Sequence, residues 1–162
     1  MQVKILVYAR EVSMTPGPFG ALVAAYHYIA ILLTYGVLFG EFILYRPALG
    51  MRSLELLRTL DRFYLFGAIT IILTGLLRLF TSVKGTEFYT HNPVFWVKMA
   101  MFVVVGLLSI VPTMHYIRAQ TYGDVEHNRI RAFIIAQLVI FTLIPFVASL
   151  MARGVGLPAA SP

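Results

Sequence analysis

The chain has 162 residues, of which 59% are hydrophobic and 12% charged, and its mean hydropathy is +0.82. A soluble domain carries about 25% charged residues, so a soluble globular fold is excluded. Lys and Arg (13) outnumber Asp and Glu (7), but the cations stand at the ends of apolar runs, where they meet lipid headgroups; nucleic acid is not a partner. The absence of cysteine removes disulfides, thiolate nucleophiles and cysteine-held clusters.

In chain order, the opening does not read as a signal peptide: Ile5 to Ala9 is too short an apolar run, and Pro16-Gly17-Pro18 breaks the chain after it. The first long apolar run lies between Glu11 and Glu41, interrupted only by His27, and Arg46-Pro47 stops it, so a helix is expected over about 19–45. The second, Phe63 to Phe80, is interrupted by Arg78, which can snorkel; the helix is expected over about 61–80. Asn92 is a good cap for the third, with Pro93 in its first turn and a helix over about 94–117. Ala119 to Asn128 is expected as a polar loop before the fourth helix, about 130–152, and Gly154 to Pro162 as a disordered tail. About 20 apolar residues cross the hydrocarbon core, and all four runs qualify. Pro112 and Pro145 are expected to bend their helices. The expected fold is all-α: an integral membrane four-helix bundle forming a single membrane domain over 1–162.

Cations set the expected orientation. Arg46, Arg52, Arg58, Arg62, Arg118, Arg129 and Arg131 fall after the first and third runs; Lys4, Arg10, Lys84 and Arg153 fall on the other side, with Arg78 and Lys98 just inside the helices there. The positive-inside rule then puts the protein in the cytoplasmic (inner) membrane with both termini outside the cytoplasm.

Polar residues within the runs form stripes. His27, Thr34 and Glu41 are spaced by seven on the first helix. Asp61, Tyr64, Ala68, Ile71, Gly75 and Arg78 share a face of the second, and Lys98, Phe102, Val105, Ser109 and Pro112 one of the third. Polar groups in lipid turn towards the bundle interior, so the stripes are expected to converge. His27, Arg78 and Lys98 fall in the expected outer half; Glu41 and Asp61 lie near the inner boundary, on the order of 20 Å away. The outer cluster thus holds two cations and an imidazole without an acid. Either the cations snorkel to headgroups or an anion lies among them. Glu41 and Asp61 are expected in structural ion pairs with Arg46, Arg58 or Arg62. His91 and His115 read as headgroup-level residues, and Gly36-x-x-x-Gly40 as a site of close helix packing.

His27, Gly36-x-x-x-Gly40-Glu41, Arg46-Pro47, Asp61-x-x-Tyr64, Gly75-Leu76-Leu77-Arg78, Lys84-Gly85, Asn92-Pro93-x-Phe95-Trp96-x-Lys98 and Leu107-Leu108-Ser109-x-x-Pro112-Thr113 together resemble a bacterial four-helix membrane family known as a domain of unknown function. The resemblance covers about residues 20–118. More distantly the chain looks like the copper resistance protein D-like group and the small bacterial membrane protoporphyrinogen oxidase, an enzyme associated with haem. His27 and Lys98 match two residues of that enzyme. The chain departs from it in the third helix, where a mid-helix histidine pair is absent and His115 lies too deep to face His27.

The resulting expectation is a polar pocket that binds an anionic ligand, with haem b as the best fit. His27 would ligate the iron, and Arg78 with Lys98 or Lys84 would meet the propionates. No reaction is assigned. Two other classes stay open. One is a non-catalytic accessory subunit, for which the 12 Phe and 9 Tyr and the short loops would serve contacts with other membrane subunits. The other is cation or metal transport entering at Glu41 and Asp61.

Overall fold

The computed structural model describes residues 17–46, 50–82, 84–118 and 124–157, with side chains from residue 127 in the last segment. Its elements are α1 (Pro18–Leu44), α2 (Met51–Thr81), the short α3 (Gly85–Thr90), α4 (Pro93–Arg118) and α5 (Asp124–Ala152). No strand occurs among the described residues. α1, α2, α4 and α5 are each long and apolar enough to cross a membrane, and no more than 22% of any of these spans is buried within the protein. The surplus apolar surface, including Leu32, Leu33, Phe66, Leu73, Val103 and Leu107, faces the lipid. The fold is an all-α membrane bundle.

The bundle is two helical hairpins, α1 with α2 and α4 with α5, closed into a ring by packing of α1 on α5 and of α2 on α4. Along the α1–α2 seam, His27 meets Thr74, Thr34 meets Gly67, and Gly40 meets Leu60. Each step is six or seven residues, close to two turns, so one face of each helix stays against the other. Leu38, Ile71, Val105, Ile134 and Phe141 fill the interior between the seams.

Helix ends follow local chemistry. Asn92 Oδ1 accepts the Val94 amide at 2.9 Å, the expected cap of α4. The same buried side chain donates from Nδ2 to the Val155 carbonyl at 3.0 Å. That contact organises the turn after α5, where Gly154 (φ 82°) and Gly156 (φ 94°) take left-handed conformations. A Cβ on Gly156 would stand 2.6 Å from Asn92 Oδ1. Residues 154–157, expected in a disordered tail, are thus tied to the start of α4; 158–162 lie outside the described residues, as do 1–16. α4 and α5 continue through Pro112 and Pro145.

α2 begins at Met51, ten residues before the start expected from its apolar run. The extension is amphipathic: Leu54 and Leu57 are buried, while Arg52 and Glu55 face out. At 31 residues, α2 is about 46 Å long and exceeds the ~30 Å hydrocarbon core, so the arginine-bearing extension projects beyond it. α5 likewise starts at Asp124, inside the segment expected as a loop; of that segment, 119–123 lie outside the described residues.

Candidate functional site

Two polar centres lie between the helices, one at the end that carries α3 and one at the opposite, Tyr45 end. At the α3 end, the His27 ring reaches from α1 to α2, with Nδ1 at 2.7 Å from Thr74 Oγ1. The Thr74 hydroxyl donates to the Thr70 carbonyl at 2.6 Å, so its oxygen accepts Nδ1–H of His27. Nε2 is then the nitrogen with the free lone pair. Gly75 makes room for the ring: a Cβ there would stand 3.3 Å from His27 Cε1. Arg78, one turn along α2, lays its guanidinium 4.8 Å from the centre of the Tyr28 ring and donates to the Tyr28 hydroxyl at 3.4 Å. Lys98 of α4 places Nζ 5.2 Å from the Phe95 ring centre. The charges of Arg78 and Lys98 both act on His27, and Arg78 acts on Lys98. Residues from three helices are therefore gathered at one end.

Lys84 is drawn elsewhere. Its Nζ donates to the Ala152 carbonyl at the end of α5, at 2.7 Å, and rests 4.5 Å from the Phe88 ring centre. A cation at a helix C-terminus satisfies an orphan carbonyl, and this role replaces the expected one beside His27. His91 is exposed and bonds the Glu87 carbonyl through Nδ1 at 3.0 Å.

At the Tyr45 end, Glu41 is 2% exposed, and its Oε1 has no hydrogen-bond partner. Asp61 accepts from the Thr113 hydroxyl at 2.7 Å. The expected ion pairs of Glu41 and Asp61 are not formed among the described residues. Arg58 directs Nε to the Tyr116 carbonyl at 2.6 Å, and Arg46 bonds the Ile43 carbonyl. Arg62, one residue beyond Asp61 and so on another face of α2, is exposed. His115, in the last turn of α4, is buried within the bundle, and its Nε2 shares a 3.1 Å hydrogen bond with the Tyr45 hydroxyl. His127, expected in a loop, lies in α5 and stacks on Tyr45 with ring centres 4.8 Å apart. Among the described residues no group of three or more His, Asp or Glu is placed to hold a metal ion.

Sequence reasoning missed Thr74, Gly67 and Thr113. A threonine in an apolar run carries little signal, because its hydroxyl can return to its own helix, as Thr59 and Thr70 do. Of the Gly36-x-x-x-Gly40 pair, only Gly40 stands against another helix, at Leu60 of α2, and the closest approach is made by Gly67 instead. A Cβ on Gly36 meets nothing within 4 Å, whereas one on Gly67 would collide with the Thr34 side chain.

Four bilayer-length apolar helices around two interhelical polar centres define a polytopic α-helical membrane protein. A family model described as a predicted membrane protein, DUF2214, matches residues 20–156, and the chain belongs to that family. Comparisons with curated proteins and with solved structures give no match. The distant resemblance to the copper resistance protein D-like group and to the protoporphyrinogen oxidase gains no support from them.

Proposed function

We propose that the protein binds an anionic ligand at the α3 end of the bundle, and that this ligand is a b-type haem held through His27. The observation that carries the reading is the His27–Thr74 hydrogen bond. Metal-ligating imidazoles hold their second nitrogen by such a bond, which fixes ring and tautomer and leaves the other nitrogen to the metal. Arg78 and Lys98 would meet two propionates, for which charge-assisted contacts are the natural partners. When bound, the group would supply a redox-active iron. Of the other histidines, His91 is exposed and bonded to the Glu87 carbonyl, His115 meets the Tyr45 hydroxyl and His127 stacks on Tyr45, so His27 is the imidazole that would hold the group.

The test is the visible spectrum of protein purified from haem-replete cells. A Soret band is expected, and carbon monoxide should shift it in the reduced protein if His27 is the iron's one protein ligand. A colourless protein that acquires no Soret band on adding haemin overturns the reading. A non-catalytic subunit of a larger membrane complex then becomes the better one.

The ligand end is assigned to the outer half of the cytoplasmic membrane, with both chain termini outside the cytoplasm, because Arg46, Arg52, Arg58, Arg62, Arg118, Arg129 and Arg131 all belong to the Tyr45 end. A periplasm-dependent reporter fused to the C-terminus is expected to be active and a cytoplasm-dependent one silent. The reverse result inverts the orientation and places the His27 cluster near the cytoplasm.

A further inference from the structure

The acidic centre at the Tyr45 end plays no part in the His27 site. Glu41 lies fourteen residues along α1 from His27, about 21 Å at 1.5 Å per residue. Its carboxyl is enclosed, with Oε1 unpartnered. The Asp61 charge acts on it from α2. Tyr64 stands between the helices at 6% exposure. The charges of both carboxyls act on its phenol, and its hydroxyl makes no hydrogen bond to another described residue. The acid pair is thus accompanied by the phenol of a buried residue.

The neighbouring cations are committed elsewhere. On α2, Arg58 serves the Tyr116 carbonyl and Arg62 is exposed. On α5, Arg131 lies 4.9 Å from the Phe42 ring centre and His127 stacks on Tyr45. On α4, His115 meets the Tyr45 hydroxyl, and Thr113 brings a neutral hydroxyl to Asp61. Gln137 of α5, 1% exposed, donates through Nε2 to its own helix and leaves Oε1 without a partner. A carboxyl as enclosed as that of Glu41, beside the half-buried Asp61 and with no counter-cation among the described residues, is costly to keep ionised. A pair of acids also lacks the donor count that a divalent metal requires, and among the described residues no three-residue ligand group occurs.

We propose that Glu41 and Asp61, with Tyr64 beside them, form a binding site for one monovalent cation, a proton or a sodium ion. Glu41 is the principal acceptor because its free oxygen is the least satisfied. Asp61 is the second, held towards the site by Thr113. The site is independent of the haem reading and uses no residue of it.

The experiment is infrared spectroscopy on the full-length protein in lipid nanodiscs, with choline chloride or sodium chloride as the salt, in mildly acidic and in alkaline buffer. If the cation is a proton, wild type shows the carbonyl stretch of a protonated carboxyl in choline, and Glu41→Gln removes it. If it is sodium, adding sodium chloride in alkaline buffer shifts the carboxylate bands and raises the melting temperature, as a ligand that binds only the folded state must; Glu41→Gln abolishes both changes. His27→Ala leaves either response unchanged. The wild-type spectra decide the matter even if a variant fails to fold. A wild-type protein with no protonated carboxyl band and no sodium-dependent change overturns the proposal, as does a response that survives in both Glu41→Gln and Asp61→Asn.

Discussion

Substituting His27 by alanine is expected to abolish haem retention, whereas Arg78→Ala lowers it and leaves a Soret band. The two residues do different work in the proposed site. His27 would supply the metal bond itself, and the other histidines are engaged elsewhere: His91 is exposed and bonds the Glu87 carbonyl, His115 meets the Tyr45 hydroxyl and His127 stacks on Tyr45. Arg78 would supply one charge-assisted contact, worth roughly 1.5–3 kcal/mol, and Lys98 would remain. Thr74→Val should fall between the two. It keeps the shape but removes the oxygen that accepts Nδ1–H, and loss of such an orienting partner lowers metal affinity by about 10- to 100-fold. Haem-to-protein ratios after purification, followed by haemin titration of each variant, measure the order. Wild-type occupancy in His27→Ala would show that the iron is not on this imidazole.

Gly67→Ala is expected to be the most damaging single change to the bundle. At Gly67 the backbone of α2 approaches the Thr34 side chain so closely that an added Cβ would overlap Thr34 Oγ1, with Thr34 Cβ at 3.1 Å and Cγ2 at 3.3 Å. Thr34 cannot swing clear, since it is 2% exposed and its hydroxyl donates to the Ala30 carbonyl at 2.7 Å. The helices must therefore separate. Overpacking of this kind costs about 1–3 kcal/mol, and here it opens the seam above and below, at His27–Thr74 and at Gly40–Leu60. A lower melting temperature in detergent is expected, with loss of any ligand held by His27. Thr34→Ala in the same chain should restore part of the stability, because it deletes Oγ1 and Cγ2 and leaves only the Cβ contact. If Gly67→Ala alone melts like wild type, α1 and α2 do not pack at this point.

What the sequence determined by itself is the class of fold. Four apolar runs long enough to cross a bilayer, with prolines and polar residues at their ends, require helices, because in lipid every backbone donor and acceptor must be satisfied within its own segment. The polar stripes were legible for the same reason: a polar residue inside such a run has to face another helix, which singled out His27, Glu41, Asp61, Tyr64, Arg78 and Lys98. Hydropathy could not give the true start of α2, because Leu54 and Leu57 lie among arginines and their burial depends on neighbouring elements.

Only the tertiary structure decided the partners. Whether a glycine marks a helix crossing depends on what stands opposite, so Gly67, facing Thr34, makes the close approach and Gly36, facing outward, does not. A threonine becomes a site residue only when another helix brings it a donor or acceptor, as α1 brings His27 to Thr74 and α2 brings Asp61 to Thr113. Charge spacing suggested that Glu41 and Asp61 would pair with arginines. The rotation of α2 instead turns Arg62 to the surface and Arg58 towards α4, while Asp61 takes its hydrogen bond from Thr113 and Glu41 Oε1 has no partner. The period of a helix fixes which residues share a face, but the choice of neighbour for that face comes from packing contacts far apart in the chain.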